Sequence, residues 1–461
     1  MWVEVRVFLY FCHIYGFYFS GYVASMGIDL SWPREWKRAV PEAFSPKFPE
    51  GCSVIFYDGQ LKLQMPAGLV SWTNWIHLAF TVGINDYFTR PGVETIVLAF
   101  DDYAYSPLAK GPTQAKRKKA SEGVVDWNEF RPLPPTIPVN YATLLFNSAF
   151  KRRVVMHIMQ EVMDTVRFQR PGQRLIFDYT EVQFLSYEEP HVLRSMHFEK
   201  PLGECDVKVV RYCANPGQHV LWIASDSDYL CVALNALENH KKSGDVSNIF
   251  IRRMVVRLPE LKQEKKKGRE YEFVNCNMLR SHIQKTLVSV TPVPLQRHVI
   301  AILSVVIALC GCDFCEGIPW MTAVAFRKNQ ALMWKAVCES IVLQQDTGLV
   351  SLDARIFADT FMVGFWKQSL FKGVVPNTVD GAFETLRKRL SESKLGDVKR
   401  KALISAEQLH THVRNANWVV FYWKFPEVCP CALSGDYGYT RDTKRRKVIF
   451  STSDPLPGRR N

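Results

Sequence analysis

Three apolar runs of strand length, each closed by aspartate, constrain this chain more than any other feature. They span 53–57 before Asp58, 95–100 before Asp101 and Asp102, and 219–225 before Asp226. Apolar runs without polar alternation suit strands buried on both faces, the habit of a parallel sheet covered by helices. Between the first two, the stretch 69–85 has helical periodicity and length, which predicts a β-α-β crossover. In open α/β sheets the ligand site lies outside the carboxyl ends of the strands, so this fold would deliver all three aspartates to one edge. A single aspartate there is an ordinary turn or capping residue. Three of them give the pattern its weight.

Further acids extend the set. Glu204 and Asp206 open a segment of helical spacing, 207–213, and Asp226 and Asp228 precede another, 229–237. The apolar, helix-length run 299–311 ends at Cys312-Asp313. Acids two apart at a strand end or in a first helical turn can face one cavity, where the helix start tolerates negative charge. Burying seven carboxylates together raises their pKa values and is unfavourable by several kcal/mol unless cations neutralise them. Oxygen ligands without a nearby histidine suit Mg2+, with Mn2+ as substitute. Two such ions form the clamp used in phosphodiester hydrolysis.

Charge points the same way. Lysine and arginine number 58 against 45 acids, a net charge of +13 over 461 residues. That excess favours a polyanion, nucleic acid ahead of a membrane surface. With 47% hydrophobic and 22% charged residues the chain is globular and not disordered. The motifs GxxxxGK[ST], HExxH, GxSxG and GxGxxG are absent, which argues against a P-loop NTPase, a zincin or an α/β-hydrolase. Twelve cysteines scattered along a long chain suit a reducing, intracellular compartment. Cys310, Cys312 and Cys315, like Cys429 and Cys431, lack a partner motif at zinc-finger spacing and read as thiols.

In order and spacing, residues 26–330 resemble the flap endonuclease/XPG group of 5′ nucleases, which have a PIN-like fold. Met26-Gly27-Ile28 resembles the family's start, and Val54-Ile55-Phe56-Tyr57-Asp58 its first metal-binding strand. Val97-Leu98-Ala99-Phe100-Asp101, followed by Lys110 and Lys116-Arg117-Lys118-Lys119, is similar to the second strand and the start of the arch. Glu204 with Asp206, and Asp226 with Asp228, stand in the places of the family's acid pairs. Gly311-Cys312-Asp313-Phe314-Cys315-Glu316 resembles the Gly-Cys-Asp-Tyr-Cys-Glu signature. The resemblance implies an α/β, PIN-like core with a mostly parallel sheet flanked by helices. It also implies two Mg2+ ions, one among Asp58, Asp101, Glu204 and Asp206, the other among Asp226, Asp228 and Asp313. Asp101, directly after its strand, is the expected ligand, with Asp102 behind it. Lys110, Lys116 and Arg117 would steady the scissile phosphate of a flapped or branched DNA.

Two features depart from that pattern. Pro319-Trp320-Met321 replaces the Gly-x-Gly turn with which the family grips duplex DNA. The stretch 201–208, Pro-Leu-Gly-Glu-Cys-Asp-Val-Lys, also resembles the Gly-Glu-x-Glu-x-Lys signature of Xrn-type 5′→3′ exoribonucleases. RNA is therefore the alternative substrate, and a nuclease-like binding protein with little activity is a third reading.

The expected organisation is a leading segment 1–25, a nuclease core 26–330 with arch or insertions at about 103–200 and 238–298, and an extension 331–461. Segment 1–25 carries nine aromatics, with no Asp, Glu, Lys or Arg from Val7 to Ser25. A membrane anchor, a targeting segment and sequence upstream of a working start at Met26 remain open for it. Basic runs at Lys265–Lys267 and Lys444–Lys447 read as a surface loop and as a nuclear signal, phosphate contact or tail. The stretch 385–400 reads as a charged helix. The aromatic run 418–425 reads as a strand packed in the core ahead of a surface that stacks on bases. No small-molecule cofactor and no membrane partner is expected.

Overall fold

The computed structural model describes residues 37, 39–63, 71–102, 127, 131–199, 201–213, 217–224, 228–243, 247–254, 271–312, 315, 330–344, 349–365, 378–391, 405–427, 439–442 and 447–450. The chain divides into two compact units, one of Glu42–Val255 with Lys262–Asn277, the other of Met1–Pro41, Val256–Leu261 and Met278–Asn461. The expected core 26–330 draws on both.

The first unit is an α/β structure around a nine-stranded mixed sheet. In chain order its strands are β1 (Phe44–Ser45), β2 (Cys52–Asp58), β3 (Thr95–Ala99), β4 (Arg174–Asp178), β5 (Val182–Ser186), β6 (Arg194–Met196), β7 (His219–Ile223), β8 (Ile249–Met254) and β9 (Tyr271–Asn275). Their spatial order is β1-β9-β8-β7-β2-β3-β4-β5-β6. The five central strands, β8 to β4 in that order, pair in parallel, and both flanks are antiparallel. The three apolar runs are β2, β3 and β7, and each is almost wholly buried. The expected crossover is present as helix Trp72–Ile76, a π-helical stretch His77–Thr81 and helix Val82–Thr89. Ser71 caps its start by accepting the Asn74 N–H. Trp75, Phe80, Ile84 and Phe88 join Ile55, Ile96 and Leu98 in one apolar core.

The chain lays down β2, then β3 and β4 on one side, and then β7 and β8 on the other. The direction of winding reverses between β2 and β7, the topological switch point where α/β sheets bind ligands. Strands β4 to β6 come from 103–200, and β8 and β9 from 238–298. The stretches expected as arch or insertion thus also furnish sheet.

The second unit is mainly helical. Helix Val299–Cys310 is buried from Val299 through Leu309, as a helix apolar on every side must be. Against it pack helices Gln330–Glu339 and Ala406–Lys424, with the hairpin β10 (Ile341–Gln344) and β11 (Leu349–Leu352). A second hairpin pairs β12 (Tyr439–Asp442) with β13 (Lys447–Phe450). The run 418–425, expected as a strand, is instead the end of helix Ala406–Lys424. Ser405 and Gln408 form a capping box at the helix start, and Trp418, Val419, Tyr422 and Trp423 are buried at helical spacing. Helix Val379–Ser391 covers the first part of the expected charged helix, whose end lies outside the described residues. Segments 1–25 and Lys265–Lys267 also lie outside them.

Candidate functional site

At the carboxyl end of β2, Asp58 is the last residue of the strand and 8% exposed. Its Oδ1 accepts the Gln60 N–H at 2.9 Å, a local turn that holds the carboxylate at the edge. The next residue, Gly59, crosses the ring of Phe100. Its N–H donates to the Ala99 carbonyl at 2.8 Å, and a Cβ there would lie 2.4 Å from Phe100 Cε1, so only glycine fits. This close approach fastens the end of β2 to the residue before Asp101.

Beyond β3 the chain is stitched to its neighbours. The Phe100 N–H donates to the Asp178 carbonyl at 3.0 Å and the Asp102 N–H to the Gly203 carbonyl at 2.7 Å. The Cys205 N–H donates to Asp101 Oδ1 at 2.9 Å, across 104 positions of sequence. Glu204 therefore stands beside the end of β3, at the N-cap of the short helix Cys205–Lys208, with Asp206 in its first turn. Asp228 opens helix Asp228–Ser243, five residues past the end of β7. Glu204 and Asp228 are each 1% exposed.

Two buried side chains register the shared field. Burial drives the Tyr229 phenol far above its ordinary pKa, and the carboxylates of Asp58, Asp206 and Asp101 add to the rise. The Cys205 thiol is raised well above its usual value by burial, then by Asp101 and Asp58. Asp58 and Asp101 act on both groups, as acids at one edge must.

Two lysines, neither assigned to the site in advance, enter the same region. Lys208 is fully buried, with Nζ 2.8 Å from Asp178 Oδ1 and donating to the carbonyls of Phe100, Asp178 and Tyr179 at 2.9–3.0 Å. Asp178 Oδ2 also accepts the Tyr212 hydroxyl at 2.8 Å. Asp178 ends β4 as Asp58 ends β2, and the run Leu175-Ile176-Phe177-Asp178 carries the same sequence signal. Its carboxylate is consumed by Lys208 and Tyr212. Lys151, on helix Ser148–Thr165, donates to the Asp101 carbonyl at 3.1 Å. Burial lowers its pKa, while Asp101, Cys205, Glu204 and Asp102 act to raise it. The signal for Lys151 was a cation on an apolar stripe, since Val154, Val155, Ile158, Met159 and Val162 share its buried face.

Of the expected ligands, Asp58, Asp101, Glu204, Asp206 and Asp228 belong to the sheet unit. Asp226, Asp313 and the basic residues Lys110, Lys116 and Arg117 lie outside the described residues. Among the described residues, no three Asp, Glu, His or Cys side chains converge closely enough to hold one ion. The donor chemistry of the five acids, all carboxylate oxygen and mostly buried, fits a hard divalent cation. The cysteines, where described, are free thiols, with Cys312 and Cys315 Sγ 3.7 Å apart.

Fold and site together define a doubly wound α/β protein with a carboxylate-rich switch-point edge. The chain matches no known family model and no curated protein.

Proposed function

We propose that this chain is a divalent-cation-dependent 5′ nuclease of the flap endonuclease/XPG type, hydrolysing phosphodiester bonds near the 5′ end of flapped or branched DNA. One observation carries the reading. Four separate chain segments bring Asp58, Asp101, Glu204 with Asp206, and Asp228 to the carboxyl edge of one sheet, two of them joined directly by the Asp101–Cys205 hydrogen bond. The parallel five-stranded centre supports the PIN-like expectation, and the net charge of +13 supports a polyanionic substrate.

When bound, Mg2+ or Mn2+ at such a site supplies an activated water and neutralises the leaving oxygen. Asp58, Asp101, Glu204 and Asp206 would have to draw together to hold one ion, since no three of the described side chains converge on a single point as they stand; Asp228 would contribute to the other with Asp226. The protein's own part is orientation. Gly59 and Phe100 set the spacing of the first two aspartates, and the Asp102–Gly203 and Cys205–Asp101 bonds set that of the acid pair. Lys110, Lys116 and Arg117 would meet the phosphate.

A second reading, a 5′→3′ exoribonuclease, draws on the stretch 203–208. Its two acids stand at the N-cap and in the first turn of the short helix Cys205–Lys208, while its lysine braces the ends of β3 and β4. Both readings meet one experiment: 5′-labelled flap DNA, nicked DNA, single-stranded DNA and 5′-monophosphorylated RNA, each incubated with purified full-length protein and Mg2+. Cleavage of the flap that Asp58→Asn and Asp206→Asn abolish is the expected result. Preferential digestion of RNA would establish the second reading, and no cleavage of any substrate would refute both.

A further inference from the structure

Lys151 is a buried cation that the nuclease reading does not use. It is 3% exposed and lies on the apolar face of its helix, while its neighbours Arg152 and Arg153 are exposed. Its long stem reaches the end of β3, where Nζ donates to the Asp101 carbonyl at 3.1 Å. The carboxylates of Asp101, Glu204 and Asp102 are the acids that act on it. A buried ammonium is unfavourable unless acids and hydrogen bonds compensate it, and buried acids need a cation for the same reason. Burial works against the ammonium at this position, and the Asp101 carbonyl and the neighbouring acids work for it.

We infer that Lys151 is the built-in counter-ion of the acidic edge, a positioning residue whose ammonium fixes the Asp101 end of β3 and contributes one positive charge that divalent ions would otherwise supply. The clause on divalent ions rests on the nuclease reading; the counter-ion role does not. A fixed positive charge beside carboxylates repels an incoming divalent cation and weakens its binding. The same charge keeps the acids assembled when no metal is bound. An oxygen-ligated site with such a residue should therefore fold without metal and bind metal with moderated affinity.

The test uses full-length protein, with Lys151→Met, Lys151→Arg, Asp101→Asn and the double variant Lys151→Met/Asp101→Asn. Asparagine keeps the oxygen that accepts the Cys205 N–H and removes only the charge. Metal-free stability is read from urea midpoints in chelator, and Mn2+ affinity from loss of the free-ion electron paramagnetic resonance signal. The inference expects Lys151→Met to lower the metal-free midpoint and to bind Mn2+ about tenfold more tightly, as loss of a close like charge requires. Lys151→Arg should retain wild-type Mn2+ affinity. The double variant should be more stable than Lys151→Met, because each neutralisation removes the other's unpaired charge. Unchanged or weaker Mn2+ binding by a folded Lys151→Met protein overturns the inference. If that variant does not fold, a double variant that also fails overturns it, whereas a folded double variant supports it. Wild-type protein that takes up no Mn2+ removes the nuclease reading and the metal clause, and the stability comparison still decides the counter-ion role.

Discussion

Substituting Lys208 with methionine isolates the brace beneath the acidic edge. Methionine keeps much of the side chain's volume and length and deletes the ammonium, so the perturbation is electrostatic and not a cavity. In the native protein Nζ lies within 2.8–3.0 Å of one carboxylate oxygen and three main-chain carbonyls, all in a fully buried place. Removing it strands the Asp178 carboxylate, itself 1% exposed. Breaking a buried pair by deleting one partner typically costs about 3–5 kcal/mol. The Tyr212 hydroxyl still donates to Asp178 and compensates in part, which places the expected loss toward the lower end. At roughly 2–4 °C per kcal/mol for a unit of this size, the melting temperature should fall by roughly 6–12 °C for a loss near 3 kcal/mol. The assay is urea unfolding followed by far-ultraviolet circular dichroism and by tryptophan fluorescence, since Trp222 is buried on β7 in the same unit. Lys208→Met/Asp178→Asn should recover a substantial part of the loss, because asparagine still accepts from Tyr212 and carries no charge to strand. A loss below about 1 kcal/mol, the net worth of one ordinary hydrogen bond, would refute the reasoning.

Three further perturbations follow from local geometry. Gly59→Ala drives a methyl group into the buried Phe100 ring, which should cost about 1–3 kcal/mol in the same unfolding assay; a cost near zero would show that Phe100 does not set the spacing of Asp58 and Asp101. Asn417, in helix Ala406–Lys424, accepts the Leu352 N–H at 2.9 Å and donates to the Leu352 carbonyl at 3.0 Å, acting as a strand partner for β11. Asn417→Ala leaves both groups buried without it and should cost about 1–3 kcal/mol, and a neutral effect would contradict that role. His410 in the same helix has its pKa held below 6.5 by burial, then by the Arg414 guanidinium. The unfolded chain therefore takes up the proton at a higher pH than the folded one, so the histidine's contribution to stability is complete well above pH 6.5 and is lost as pH falls below it and through the lower folded-state pKa. His410→Gln should flatten the acid side of the curve of urea midpoint against pH; parallel curves for variant and wild type would rule out this assignment.

What the sequence made legible was the centre of the sheet, and the reason is physical. β2, β3 and β7 are buried on both faces, so nearly every residue had to be apolar and the runs stood out. The flanks were less visible. β1 has two residues and β6 reads Arg-Ser-Met, because edge strands need not be apolar throughout; β8 is paired on both sides yet carries Arg252 and Arg253, which are only half-buried. The run 418–425 misled for a related reason: a dense aromatic stretch satisfies the composition of a strand and of a buried helix alike, and the deciding signal, the capping box at Ser405 and Gln408, lies thirteen residues upstream of Trp418.

The acids show the same limit at the level of the site. Aspartate after an apolar run marks Asp58 and Asp178 equally, and nothing in either run separates a carboxylate open to chemistry from one used in folding. Asp178 is marked as a folding acid by a residue remote in sequence, Lys208, whose ammonium pairs with its carboxylate. Lys151, from a helix that precedes β4, instead grips the main-chain carbonyl of Asp101. Both lysines are cations in apolar surroundings, an arrangement that is unfavourable unless an acid answers it. Read in that direction, a lysine on the buried stripe of a helix predicts a carboxylate opposite before the fold is known. The strand-end acid Asp178 is thus neutralised from within the fold, by a cation that the sequence places thirty residues further on.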